Sequence, residues 1–100
     1  MSVVTNVILI TAVSDLNLDH LAIPGLDGFY LVSVDTPSLP RGWYGGSKML
    51  ECTVYIGAFN HLDLDAFLLW VSRLPFEFPS RVQLLYKEED DLIFTLKKFD

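Results

Sequence analysis

Residues 3–13 constrain the fold more than any other segment of the chain. Both alternating sets of positions in this segment are almost entirely apolar or β-branched. A strand with one face in water alternates apolar and polar residues, whereas a strand covered on both faces is apolar throughout. We therefore predict a central strand here. The segment lacks the basic region that begins a secretory signal peptide, so it is not interpreted as one.

The remaining pattern contains two helix signals and further strand signals. The predicted elements are a short helix after Ser14 or Asp15, a strand over 29–35, a long loop over 36–47, a strand over 48–59, a helix over 63–74, and strands over 82–87 and 92–99. The first helix would carry Leu16, Leu18 and Leu21 and end at Pro24 and Gly25. The last two strands flank an acidic run and are predicted to form a hairpin.

This order of elements predicts an α+β fold of ferredoxin-like (split βαβ) architecture. In that architecture two helices cover one face of an antiparallel sheet, and here an extra C-terminal hairpin strand is added. Residues 1–100 are expected to form a single domain, since this length is typical of one. The architecture hosts enzymes, RNA binders and dimerisation modules alike, so it does not assign a function.

The charge balance excludes some partners. Seven Lys and Arg residues stand against thirteen Asp and Glu residues, which gives a net charge of -6. A chain of this charge neutralises phosphate poorly, so we predict no nucleic-acid partner and no membrane partner. The one cysteine, Cys52, cannot form an internal disulfide, which favours a reducing compartment, and we predict a cytoplasmic protein. No run approaches the ~20 apolar residues of a membrane span.

His61, Asp63 and Asp65 have the spacing of a metal site or an acid/base pair, but a helix start explains them better. Asp63 is a good N-cap for the helix over 63–74, and Asp65 is favourable in its first turn. Leu62 and Phe67 have the spacing of a hydrophobic staple. We therefore predict no catalytic residue, no metal site and no cofactor. An enzyme with His61 and Asp65 as acid and base is the alternative.

The strand over 48–59 alternates between two faces. Leu50, Cys52, Val54, Ile56 and Ala58 are assigned to the core, where burial would make Cys52 an inert thiol. The other face is predicted to look outward and to form a dimer interface, and its candidate residues are Met49, Thr53, Tyr55 and Phe59.

The glycine-rich loop over 36–48 gathers cationic and aromatic groups in an acidic chain. Arg41, Trp43, Tyr44 and Lys48 lie on this loop. Trp, Tyr and Arg are the residue types most frequent in binding hot spots, and a loop of this length is uncommon without a function. We interpret these four residues as a partner-binding site. The alternative is a lid in which Trp43 and Tyr44 fold back over a sheet edge.

The mean hydropathy of +0.36 is high for a chain of this size. Apolar surface beyond what a core can hide often marks an interface. The first hypothesis is therefore a small non-enzymatic interaction protein that forms a homodimer through its sheet and binds a protein partner through the loop over 36–48. One alternative is a sensor domain that holds an anionic metabolite with Arg41 and Lys48. Another is a small acidic inhibitor of a host factor.

Overall fold

The computed structural model of the protein describes residues 3–23, 25–34 and 52–99. The elements in these residues are β1 (Val4–Ala12), β2 (Ala22–Ile23), β3 (Leu26–Tyr30), β4 (Val32–Ser33), β5 (Cys52–Asn60), α1 (Leu64–Ser72), a 3-10 turn (Pro79–Arg81), β6 (Gln83–Glu88) and β7 (Thr95–Lys98). Five of the strands form an antiparallel sheet in the order β4-β5-β1-β6-β7. The strands β2 and β3 pair separately.

The predicted ferredoxin-like architecture is wrong. Within the described residues α1 is the single α-helix, and the segment expected to form a first helix consists of turns, irregular residues and the short strand β2. Ser14 and His20 there have φ values of 67° and 62°, which no α-helix accommodates. The Asp15 carboxylate accepts a hydrogen bond from the Leu16 amide at 2.6 Å. Such local bonds from side chain to backbone compete with helix formation, and so turns replace the helix.

Other predicted elements are confirmed. β1 lies at the centre of the sheet, between β5 and β6. β6 and β7 form the expected antiparallel hairpin, although β7 starts later than predicted. The predicted strand over 29–35 is divided, because β3 pairs with β2 and β4 pairs with β5. Residues 48–51 of the predicted third strand lie outside the described residues.

The core lies on one side of the sheet, which we call the core face. It is built from the buried positions of β1, β5 and β6 together with α1 and the turns after β1, and its fully buried large residues include Leu9, Leu18, Leu31, Phe59, Val71 and Leu84. Phe67 of α1 packs against Phe59 with ring centroids 6.4 Å apart. The positions between the buried ones point to the opposite side of the sheet, which we call the open face.

The Phe59 ring occupies the space that a side chain at position 57 of β5 would fill, so this position needs glycine. A methyl group added at Gly57 would overlap the Phe59 ring, because the ring turns back over the glycine on the core face. Phe59 is itself buried beside Phe67 and cannot move away freely. The absence of a side chain at Gly57 thus creates the space in which the fully buried Phe59 ring lies.

Candidate functional site

A row of branched aliphatic side chains crosses the open face on all five strands. The register pairs Val32 with Ile56, Ile56 with Ile8, Ile8 with Leu85 and Leu85 with Leu96. Directly paired residues of antiparallel strands have Cβ atoms only about 5 Å apart, so these five side chains can contact one another in sequence. We call these five residues the aliphatic row.

The aliphatic row is partly exposed to solvent. Val32, Ile56 and Leu96 are 38%, 46% and 50% exposed, and Ile8 and Leu85 are partly exposed. The described helix α1 does not cover the row, since its buried residues pack into the core on the other side of the sheet. A contiguous exposed apolar surface of this kind is typical of an interaction site.

The open face also differs in charge from the rest of the chain. At the open-face positions of the five described strands the charged residues are Lys87 and Lys98, and none of these positions carries Asp or Glu. The whole chain has thirteen acidic residues and a net charge of -6. The open-face positions of these five strands are therefore free of negative charge, although the protein is acidic.

A polar cleft of about 360 Å³ lies on the other side of the sheet, beside β4 and β5. Its lining residues are Asp15, Asn17, Asp19, Ser33, Thr53 and Tyr55. Most small-ligand sites are lined mainly by apolar side chains with a few polar groups, and this cleft has the opposite composition. Its volume alone would suit a small ligand, so the hydrogen bonds of its polar groups decide what they do.

Asp15 holds two distant parts of the chain together. One carboxylate oxygen accepts a hydrogen bond from the Glu77 amide and the other accepts one from the Phe78 amide, each at 2.9 Å. Desolvation raises the pKa of the Asp15 carboxyl, but the hydrogen bonds from the Glu77, Leu16 and Phe78 amides outweigh it and hold the pKa below its ordinary value of 3.8. Asp15 thus joins the turn after β1 to the segment after α1.

Asp19, Asn17 and Tyr55, which also line the cleft, bind backbone amides as well. Asp19 accepts a hydrogen bond from the Ser33 amide at 2.8 Å, and its carboxylate lies 3.1 Å from Nδ1 of His20. The Asn17 side chain accepts one from the Asp19 amide at 3.0 Å. The Tyr55 hydroxyl accepts one from the amide of the buried Leu18 at 3.2 Å. These groups fix turns over the core face, which explains their presence without a ligand.

The predicted dimer residues on β5 lie on the core face. Tyr55 and Phe59 are buried at 3% and 2% exposure, and Thr53 is partly buried in the polar cleft. The prediction of which face of this strand is buried is therefore wrong. Ile56 is exposed and Cys52 is only half-buried, both on the open face. Alternation could not decide between the faces because each one carries large apolar residues.

The predicted partner-binding residues Arg41, Trp43, Tyr44 and Lys48, and the dimer candidate Met49, lie outside the described residues. Their interpretation as a binding site stays a prediction. The same holds for the anionic-metabolite site that Arg41 and Lys48 would form.

The structure confirms the predicted cap of the second helix. The Asp63 carboxylate accepts a hydrogen bond from the Ala66 amide at 3.1 Å, and Asp65 lies in the first turn of α1. His61 precedes the helix in a left-handed conformation with φ of 60°. Across the part of the chain that the structure describes, no group of three or more His, Cys, Asp or Glu side chains is placed to hold a metal ion.

In residues 3–23, 25–34 and 52–99, no helix combines the length and apolarity that crossing a membrane requires.

Comparison with known proteins identifies no relative: no family model matches the chain, and no curated protein or solved structure is significantly similar to it.

Proposed function

We propose that the protein is a non-enzymatic interaction protein that forms a homodimer by stacking the open faces of two sheets. The aliphatic row is the observation that carries this proposal, because it runs across five strands in direct register and is left partly exposed. Two antiparallel sheets that pack face to face lie about 10 Å apart with their side chains interdigitated. A two-fold dimer needs one self-complementary surface, and an aliphatic sheet face is one.

The composition of β1 supports a cover on both faces. Val7 and Leu9 are buried in the core of the single chain, whereas Ile8 and Ile10 point to the open face and remain partly exposed. Strands that are apolar on both sides are normally covered on both sides. A second copy of the sheet would supply the cover that the described elements of one chain do not.

The charge distribution favours a second copy as the partner. Two chains of net charge -6 repel one another, and the repulsion is smallest where the contacting surfaces carry no carboxylate. The open face meets this condition at its strand positions, with Lys87 and Lys98 as its charged residues.

The size of the open face is compatible with a small stable interface. With strands ~4.8 Å apart and a rise of ~3.3 Å per residue, the five strands present a projected area of roughly 500 Å². Side chains corrugate this surface, so its accessible area is larger than the projection. Stable interfaces start at about 600 Å² per partner, which is within reach of this face.

The test is the mass of the full chain in solution, measured by light scattering at tens of micromolar, with Ile56→Lys as the disruptive variant. We expect the wild-type chain to have twice the 11.3 kDa of one copy, and Ile56→Lys to have the mass of one copy. Leu69→Lys is the matched control, because Leu69 is 49% exposed, much like Ile56, but lies on α1. It should remain a dimer.

Circular dichroism of each variant checks that the fold is retained. A wild-type chain with the mass of one copy at this concentration would refute the proposal. Loss of the dimer in Leu69→Lys, with the dimer kept in Ile56→Lys, would show that α1, and not the open face, forms the contact.

A further inference from the structure

The loop of the β6–β7 hairpin presents two aliphatic side chains to solvent. Leu92 is 98% exposed and Ile93 is 78% exposed, the highest values among the large hydrophobic residues that the structure describes. Both lie beyond Tyr86 and Thr95, the last paired residues of the hairpin. We call residues 88–94 the hairpin tip. An isolated exposed aliphatic residue is common, but two adjacent residues at this exposure on one loop are not.

The hairpin tip is held in place by the chain that precedes Leu92. The Asp91 amide donates to the Glu88 carbonyl at 2.9 Å, and the Asp91 carboxylate accepts from the Glu88 amide at 3.1 Å. Lys87 Nζ donates to the Asp91 carbonyl at 3.0 Å. Glu89 and Val4 exchange two hydrogen bonds of 2.9 Å, which tie the turn to β1. A turn fixed in this way loses little conformational entropy when it binds.

The hairpin tip is also strongly acidic. Residues 88–91 are all Asp or Glu. Among the described residues none of these four side chains forms an ion pair with Lys or Arg. The Glu89 carboxylate accepts a hydrogen bond from the Val4 amide of β1, and the Asp91 carboxylate accepts one from the Glu88 amide, whereas no described group donates a hydrogen bond to the carboxylates of Glu88 and Asp90. Their negative charge is therefore available to a partner.

We infer that the hairpin tip docks onto a protein partner by inserting Leu92 and Ile93 into an apolar pocket whose rim carries Arg or Lys. The two aliphatic side chains define the docking element, and the neighbouring carboxylates define the charge of the rim. A bilayer also accepts exposed aliphatic groups, but anionic headgroups would repel the acidic turn. This interaction goes beyond the proposed homodimer, because the hairpin tip lies outside the aliphatic row.

The first experiment identifies the pocket. The full chain carries the photo-cross-linker p-benzoylphenylalanine at position 93 and is irradiated in the cell that produces it, and the cross-linked peptides are mapped by mass spectrometry. We expect cross-links to an apolar segment of another protein with Arg or Lys nearby. The absence of cross-links to a protein, or cross-links to a pocket rimmed by acidic residues, would overturn the proposal.

The second experiment uses the partner protein that cross-linking identifies, purified without a cross-link. Calorimetry measures its affinity for variants of the full chain. Hot-spot residues truncated at an interface typically cost a factor of about 30 or more, and we expect this loss for Leu92→Ser/Ile93→Ser. Val13→Ser is the matched control, since Val13 is an exposed aliphatic residue in another turn, and it should change the affinity by less than about twofold. Equal affinities of the tip variant and the wild-type chain would overturn the proposal.

Charge variants test the nature of the rim. Glu88→Gln and Asp90→Asn remove carboxylates that hold no part of the turn, and each should weaken binding by roughly two- to fivefold at low salt and less at high salt. Tighter binding by these variants would overturn the inference that the rim of the pocket is basic.

Two further readouts separate this proposal from its alternatives. The first is sedimentation with vesicles of phosphatidylcholine, alone or with one third phosphatidylserine, which should leave the wild-type chain in solution. Vesicle binding that requires Leu92 and Ile93 would overturn the inference and indicate a membrane as the partner. Leu92→Ser/Ile93→Ser should keep the mass of the wild-type chain, and Ile56→Lys should keep the affinity for the partner within about twofold. Loss of the dimer in the tip variant would assign the tip to the homodimer contact instead.

Discussion

The two faces of the sheet are formed by the same strands and differ in what completes them. On the core face, α1 and the turns after β1 cover Leu9 and Phe59, which are almost fully buried. On the open face, Ile8 and Ile56 alternate with these residues along the same strands and remain partly exposed. Hydrophobicity of the strands alone thus does not determine which face becomes the core.

Polar groups distinguish the faces further. The turns over the core face are fixed by the Tyr55 hydroxyl, which binds the Leu18 amide, and by the Asp15 carboxylate, which binds the amides of Glu77 and Phe78. The aliphatic row of the open face contains no hydrogen-bonding side chain. The core face is therefore closed by specific intramolecular bonds, whereas the aliphatic row offers a surface without directional constraints, which suits packing against a second sheet.

The largest expected effect is a difference in the free energy of unfolding between alanine variants of two adjacent residues of β1. Leu9→Ala should lower the free energy of unfolding by about 3 to 5 kcal/mol, because it leaves a cavity in the core. Ile8→Ala should cost only about 1 kcal/mol in the monomer, since Ile8 is partly exposed there. Urea unfolding at submicromolar concentration measures both, and at tens of micromolar the loss for Ile8→Ala should grow as the wild-type dimer forms. Equal losses at low concentration would mean that the faces do not differ in burial.

An intermediate effect on stability is expected when substitutions at two adjacent residues of β5 are compared. Gly57→Ala should destabilise the protein by about 1 to 3 kcal/mol, because the added methyl group overlaps the Phe59 ring on the core face. Ala58→Ser changes a neighbouring exposed residue by one small group and should cost less than about 0.5 kcal/mol. Thermal unfolding at submicromolar concentration compares the two variants in the monomer, where Ala58 of the open face is uncovered. In Phe59→Leu the overlap is reduced, so Gly57→Ala should cost less in that background, and an unchanged cost would refute the proposed overlap.

Local signals made part of this structure predictable from the sequence. Residues 3–13 are apolar enough to require a central strand, and β1 is one. Asp63 stands where a helix needs a cap, and it caps α1. The hairpin of β6 and β7 has short strands on either side of a charged run. In each case the residues that decide the structure lie within a few positions of one another.

The other features depend on contacts between distant residues. Asp15 was expected to cap a helix, but its carboxylate binds amides 62 and 63 residues further along the chain. The buried face of β5 depends on its pairing with β1, because Ile56 and Tyr55 are both apolar enough for a core. The aliphatic row exists only through the register of five strands, which no local pattern specifies. The sequence pattern therefore predicts surplus apolar surface but places it on the wrong side of β5.

The smallest expected effect concerns the closure of the core face in acid. The pKa of Asp15 in the folded chain is held below its ordinary value of 3.8, so its stabilising contribution is complete above that pH and is lost as the pH falls through the lower folded value. Asp15→Asn should therefore reduce stability by about 1 kcal/mol at pH 7, and the difference from wild type should vanish in strong acid. Urea unfolding from pH 7 to pH 2 measures this convergence. Tyr55→Phe removes the other fixing group, an uncharged hydroxyl, so its cost of about 1 to 2 kcal/mol should persist over the same range. A pH-independent cost for Asp15→Asn would show that the geometry of the side chain, and not its charge, closes the core face.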